Sequence, residues 1–193
     1  MELTDTNALP AVAWKNGGGT TRTVAVSPPG SGFDDFVWRV SIADVRGSGD
    51  FSLFPEVDRT IVLLSGAGMV LERSDGVSHA LTRVFEPYRF RGEDSIDARL
   101  VGGASVDFNV MVRRGRARAE VRIWDRAYAV RCAGEALVYC ARGDFEVLSG
   151  GEAAMLSAGW ACGFSVMDTT VQVAPKAPDA VLIGALFESE EAA

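Results

Sequence analysis

Residues 63–71 read Leu63-Leu64-Ser65-Gly66-Ala67-Gly68-Met69-Val70-Leu71, and residues 138–146 read Val138-Tyr139-Cys140-Ala141-Arg142-Gly143-Asp144-Phe145-Glu146. Each stretch is an apolar run, a glycine turn and a second run that resumes in extended alternation. The echo continues beyond the turn: Ser74-Asp75-Gly76 is answered by Ser149-Gly150-Gly151, and Ala80-Leu81 by Met155-Leu156. An aromatic strand then follows in each half, with Tyr88 and Phe90 in the first and Trp160 and Phe164 in the second. A strand–turn–strand unit that recurs in this way predicts two fused copies of one β-barrel unit.

The rest of the chain agrees. Its 21 glycines punctuate short runs of period-two alternation, and no window of a dozen residues carries a helical stripe. The pattern predicts an all-β sandwich or barrel with strands at Thr21–Ser27, Phe36–Val45, Thr60–Leu64, Met69–Arg73, Arg83–Phe90, Ser105–Val112, Ala119–Ile123, Ala136–Cys140, Phe145–Leu148, Trp160–Val166, Thr170–Ala174 and Val181–Phe187.

With 193 residues, 48% of them hydrophobic and 23% charged, the chain can bury a core in one compact domain or two small fused ones. It has no run near the roughly 18 apolar residues of a membrane span, and Met1-Glu2-Leu3-Thr4-Asp5 lacks the features of a secretory signal. A cytoplasmic protein without membrane partners is expected. Cys132, Cys140 and Cys162 lie in apolar stretches and read as buried reduced thiols. A net charge of −7 repels phosphate backbones, so nucleic acid is not an expected partner. The basic run Arg113-Arg114-Gly115-Arg116-Ala117-Arg118 reads as a solvated connection between the halves.

Four segments carry candidate chemistry. In Trp14-Lys15-Asn16-Gly17-Gly18-Gly19-Thr20-Thr21-Arg22, three glycines precede a strand; the backbone there either reverses direction or forms an anion-holding nest. In Val37-Trp38-Arg39-Val40-Ser41-Ile42-Ala43, alternation assigns Trp38, Val40 and Ile42 to a core face. Arg39, Ser41 and Ala43 then face either solvent or a polar cavity inside a barrel. The same two readings hold for Asn109 and Met111, opposite Phe108, Val110 and Val112. In Phe51-Ser52-Leu53-Phe54-Pro55-Glu56-Val57-Asp58-Arg59-Thr60, a proline turn delivers Arg59 to a strand mouth, where it either clamps a carboxylate or pairs with Asp58 or Glu56.

A single histidine, His79, cannot supply the imidazoles of a β-barrel metal site and reads as a surface residue. No metal and no cofactor are expected. The sequence has no Gly-x-Ser-x-Gly elbow, and no carboxylate pair is spaced for acid–base roles, so no catalytic residue is assigned.

Taken together, Trp14–Arg22, Trp38–Ala43 and Phe51–Thr60, followed by Phe108-Asn109-Val110-Met111 and Arg113-Arg114-Gly115, resemble the HutD/Ves family over most of residues 10–115. The resemblance implies a double-cupin (bicupin, RmlC-like jelly-roll) fold without the metal-binding histidines. The expected division is an N-terminal barrel over 1–115 carrying a ligand pocket and a C-terminal barrel over 116–193 packed on it. It also implies an association with histidine utilisation, in which the HutD branch senses or buffers a metabolite and the Ves branch is linked to stress. The expected function is binding of a small acidic metabolite such as urocanate or N-formylglutamate, in a regulatory or buffering role. A metal-free enzyme acting on a small carboxylate is the alternative, and a protein that docks to a partner is a third reading. Arg59 is the expected anion anchor, joined by Lys15, Asn16, Arg39 and Asn109, then Ser41 and Arg22. Monomer and homo-oligomer both stay open.

Overall fold

The computed structural model describes residues 1–164 and 169–190. All regular structure among them is β, in strands numbered along the chain. These are β1 (Glu2–Asp5), β2 (Val12–Ala13), β3 (Gly19–Ser27), β4 (Trp38–Val45), β5 (Gly49–Asp50), β6 (Val57–Ser65), β7 (Met69–Arg73), β8 (Ser78–Leu81), β9 (Pro87–Arg91) and β10 (Ile96–Leu100). The series continues with β11 (Ser105–Arg113), β12 (Ala117–Trp124), β13 (Tyr128–Cys132), β14 (Ala136–Arg142), β15 (Asp144–Ser149), β16 (Glu152–Ser157), β17 (Trp160–Phe164), β18 (Thr169–Pro175) and β19 (Val181–Ser189). No helix among the described residues is long and apolar enough to cross a membrane.

Two compact units form. The N-terminal barrel, Pro10–Arg114, has one sheet ordered β2-β3-β4-β11-β6-β9 and another ordered β5-β10-β7-β8. Its core lies between them: Ala43, Val45, Ile61 and Leu63 from the first sheet meet Met69, Leu71, Leu81, Ile96 and Ala98 from the second. The C-terminal barrel, formed by Met1–Leu9 and the chain from Gly115 onward, has sheets ordered β1-β17-β14-β19-β12 and β13-β18-β15-β16. Its core of Trp124, Val138, Phe164 and Leu182 on one side and Phe145, Val147, Leu156 and Val173 on the other is closed and apolar.

The order β4-β11-β6-β9 has its counterpart in β12-β19-β14-β17, and β5-β10-β7-β8 in β13-β18-β15-β16. Each barrel is thus the same antiparallel jelly roll, as the sequence echo implied. The expected partition at residue 115 needs one correction. Residues 1–9 belong with the C-terminal barrel, because β1 pairs along β17, with Leu3 opposite Cys162 and Asp5 opposite Trp160. Backbone hydrogen bonding to an open strand edge, which side-chain pattern does not record, places them there.

Strand positions follow the alternation where a run is long. Seven strands escaped it: β1, β2, β5, β8, β10, β13 and β16. They are short, and most are half exposed, so neither periodicity nor hydrophobicity marks them. Arg83–Phe90 shrinks to Pro87–Arg91, and of the expected strand Trp160–Val166 the structure describes Trp160–Phe164, residues 165–166 lying outside the described residues. The basic run does connect the two units, as a short turn and not a long linker: it spans the end of β11, a tight turn and the start of β12, with Gly115, Arg116 and Arg118 exposed. Two of its arginines are ion-paired, Arg114 with Asp58 (2.8 Å) and Glu93, and Arg118 with Glu190.

The repeated glycine turn has a steric cause. Gly68 and Gly143 hold φ of +82° and +66°, where a side chain is strained. A Cβ at Gly68 would also run into the Leu81 carbonyl oxygen. Gly76 shares the conformation (φ +86°) but faces open space. Gly76→Ala should therefore cost about 1–2 kcal/mol, the left-handed penalty alone, and Gly68→Ala distinctly more. Urea unfolding of the two variants checks the ordering, and equal midpoints would contradict the turn assignment.

Candidate functional site

Antiparallel register ties the inward-facing side chains of the N-terminal barrel into rungs. Arg39 is opposite Met111, Met111 opposite Arg59, and Arg59 opposite Phe90. The next rung runs Thr23–Ser41–Asn109–Ile61–Tyr88, and the third joins Thr21, Ala43, Asp107 and Leu63. Since Ala43, Ile61 and Leu63 belong to the barrel core, the face carrying Arg39, Ser41 and Asn109 is the interior. Of the two readings open for that face, the polar cavity is the one realised. The opposite face, with Val40 and Phe108 fully buried, is closed to solvent as well.

The polar end of these rungs lines a cavity of about 610 Å³ whose lining includes Arg59, Lys15, Asn16, Arg39, Ser41 and Asn109. Arg22 is the exception among the expected residues. Its neighbours Thr21 and Thr23 face inward, so alternation turns Arg22 away, to an ion pair with Asp44 at 3.0 Å.

Arg59 is 9% exposed and stands among aromatic rings: its guanidinium carbon lies 4.9 Å from the Phe90 centroid, 5.1 Å from Phe51 and 5.5 Å from Phe54. The Phe54-Pro55-Glu56 turn brings these walls together. Glu56 sits at φ +60°, and Phe54 donates its backbone N–H to the Gly92 carbonyl at 2.8 Å. Arg59 has few hydrogen bonds for so buried a cation. Nη1 donates to the Ser52 carbonyl at 3.4 Å and Nη2 to Asn109 Oδ1 at 3.5 Å, both at the weak limit, and Nε is buried with no partner. Of the two readings open for Arg59, the pair with Asp58 or Glu56 is not formed, and Asp58 is taken by Arg89 (2.6 Å) and Arg114. Among the described residues no carboxylate lies within 4.0 Å of Arg59. Burial pushes its pKa down to about 10, partly opposed by Asp107, so it stays cationic at neutral pH.

Sequence reasoning did not single out Asp107, although it shares the parity of Asn109 and Met111. It is 1% exposed, and Asn109 Nδ2 donates to its Oδ1. Asn109 therefore stands between the Asp107 carboxylate and the Arg59 guanidinium. Burial drives the Asp107 pKa up to about 7 against the lowering effects of Arg59 and Asn109. Arg39 donates to Thr23 Oγ1 at 2.6 Å and packs over Phe33, with 4.8 Å to the centroid. Trp14, Phe33, Phe51 and Phe54, also missed beforehand, add apolar walls.

Lys15 and Asn16 are exposed at the rim. The glycine run beside them is a reversal and not an anion nest. Gly17 N–H donates to the Trp14 carbonyl and Gly18 N–H to Asn16 Oδ1, both at 3.0 Å. Trp14 is held by its indole N–H on Thr21 Oγ1 at 2.7 Å.

Among the described residues no three His, Cys, Asp or Glu side chains converge. The cavity presents Arg39 and Arg59 beside Asp107, so a divalent cation would meet like charge, and the lining does not fit a metal. His79 is half-buried, stacked on Tyr88 with 3.7 Å between centroids, and does not line the cavity. The three cysteines are buried in the other barrel, and burial pushes the Cys140 and Cys162 thiols up to about 11, where they are protonated and unreactive.

Two jelly rolls of one topology, the first holding a cavity lined by Arg39 and Arg59, define a double-cupin protein. A cupin barrel protein from Leptotrichia buccalis superposes with a TM-score of 0.62 at 7% identity, a likeness of fold alone. The HutD family model matches residues 6–180, and the chain belongs to that family. Two relatives called Protein Ves are similar to it. The one from Citrobacter koseri is 43% identical over 66% of each chain, and the one from Cronobacter sakazakii 38% identical over 76% of this chain and 80% of its own. Among solved structures, HutD from Pseudomonas fluorescens has a TM-score of 0.84 at 27% identity, covering 97% of this chain and 98% of its own. A conserved protein of unknown function from Pseudomonas aeruginosa has a TM-score of 0.89 at 28% identity, with the same coverage.

The buried Asp107 has a thermodynamic consequence. Its folded-state pKa is raised, so the folded protein holds this proton more tightly than the unfolded chain. Its contribution to stability is complete below pH 4 and is lost as pH rises toward about 7. Asp107→Asn removes that dependence. Relative to wild type, the variant should gain stability between pH 4 and pH 7, on the order of a few kcal/mol, as read from urea midpoints at both ends. A constant difference across the window would show that Asp107 titrates normally.

Proposed function

We propose that this chain binds a small carboxylate metabolite in its N-terminal barrel and acts, without a metal, as a cytoplasmic sensor or buffer of that metabolite. One observation carries the reading: Arg59 is a buried cation without a carboxylate partner, its Nε unmatched, opening on a cavity that also holds Arg39. A guanidinium so placed lacks what a carboxylate supplies, two acceptor oxygens in the plane of its donors. The cavity volume falls in the usual range for small-molecule sites, roughly 300–1,000 Å³. Membership of the HutD family and the resemblance noted from sequence favour an acid of histidine catabolism, with urocanate and N-formylglutamate as the first to test. A carboxylate on Arg59, with Asn109, Ser41 and Arg39 beside it, would leave the rest of the ligand against Phe33, Phe51 and Phe54. Lys15 and Asn16 would meet it at the rim.

The elevated Asp107 pKa favours a second reading, a metal-free enzyme on a small carboxylate, because a general acid–base works best near neutrality. Incubation of each acid with the protein, followed by proton NMR, separates the two: binding alone leaves the spectrum unchanged, and turnover lost in Asp107→Asn selects the enzyme.

Thermal-shift screening of histidine-pathway acids tests the main reading. A ligand at about one hundred times its Kd adds roughly 2.7 kcal/mol, a melting shift of about 5–10 °C for a chain of this size. Arg59→Ala should weaken binding by roughly 2–5 kcal/mol in calorimetry while the fold persists by circular dichroism. No shift with any acid at millimolar concentration, or undiminished affinity in folded Arg59→Ala, refutes the assignment. Elemental analysis of the purified protein should find no stoichiometric transition metal, and one equivalent of zinc, iron or manganese retained after mild chelation would contradict the metal-free part.

A further inference from the structure

Resting on the proposed carboxylate site, we infer that the cavity takes up a proton together with its anion, and that Asp107 is the residue that receives it. Asp107 and the incoming carboxylate share Arg59 as a counter-charge. The Asp107 carboxylate is fully buried, makes no ion pair within 4.0 Å among the described residues, and reaches Arg59 only through Asn109. That side chain is committed at both ends, its amide N–H to Asp107 and its oxygen accepting from Arg59. A second anion seated on Arg59 therefore draws away the charge that keeps Asp107 ionised, and no neighbour replaces it.

Among the ionisable groups lining the cavity, Asp107 is the buried carboxylate, whereas Asp50 and Lys15 are exposed. Facing or acting on Asp107 are Arg59 from β6, Arg39 from β4, and Asp44 from the far face of β4, with Lys15 from the β2–β3 turn and Asp50 from β5 lining the cavity. The two arginines stay protonated throughout. Asp44 opposes ionisation of Asp107 and is itself paired with Arg22. The four-stranded sheet sends Leu71, Ile96 and Ala98 into the interior, and His79 lies at its edge on Tyr88, outside the cavity lining. The step is simple. The ligand carboxylate accepts hydrogen bonds from Arg59, and one proton from solvent binds a carboxylate oxygen of Asp107, offsetting the charge of the carboxylate seated on Arg59. The unliganded Asp107 titrates near 7, so the coupling falls in the working pH range of a cell.

Calorimetry with N-formylglutamate, whose carboxylates are ionised throughout, measures the effect on the full chain between pH 5.5 and 8.5, in MES and bis-Tris at the acid end and in HEPES and Tris at the alkaline end. Because these buffers differ in ionisation enthalpy, the difference between their binding enthalpies counts protons. Expected are uptake approaching one proton per ligand at pH 8, little uptake at pH 5.5, and an affinity that falls about tenfold per pH unit above 7. Folded Asp107→Asn should bind with an affinity independent of pH. Wild-type binding with no net proton uptake across the range overturns the inference and leaves the carboxylate site standing. If wild type binds neither N-formylglutamate nor any other pathway acid, the site itself is refuted and the inference with it. The wild-type proton count decides the matter even if Asp107→Asn does not fold.

Discussion

Strand register in the six-stranded sheet is the constraint on which the candidate site depends. Once β11 is paired between β4 and β6, Arg39, Met111 and Arg59 share a rung, and Ser41 and Asn109 share the next. None of these side chains can leave the interior alone, because a one-residue slip would carry Phe108 and Val110 inward and the whole polar set outward. A guanidinium held inside in this way loses its water, at a cost of several kcal/mol that only charge partners and hydrogen bonds can offset. Three phenylalanine faces and two long hydrogen bonds do so incompletely for Arg59. That shortfall is the observation on which the proposed anion site rests.

The two barrels show how one topology yields opposite interiors. In the C-terminal barrel, Gly184 of β19 lets the Trp124 indole lie directly on the backbone, where any Cβ would collide with the ring, and Phe145, Leu156 and Leu182 complete a closed core. In the N-terminal barrel, β11 carries Asp107, Asn109 and Met111 toward the interior, and polar groups that need partners keep space open beside them. The filled barrel contributes apolar burial, and the other holds the polar cavity. A fold shared with proteins at 7% identity specifies neither arrangement; the residues lining each interior do.

Much of this was legible in advance because it is local. Period-two alternation and the glycine turns at Gly68 and Gly143 determine an all-β chain with a repeated unit, since side-chain direction and positive φ are properties of a few consecutive residues. One histidine determines that no imidazole cluster forms. Parity alone grouped Arg39 with Ser41 and Asn109 with Met111. The same parity pointed to Asp107 and away from Arg22, a signal present in the sequence and overshadowed by the more evident cations. Tertiary structure decided the rest, because it depends on groups far apart in the chain. Which face of β4 is interior follows from what the second sheet lays against it, and whether Arg59 is paired follows from Arg89 and Arg114 having taken Asp58. That β1 joins the C-terminal barrel follows from an edge of β17 formed some 155 residues later, in hydrogen bonds between backbones that carry no residue-specific mark.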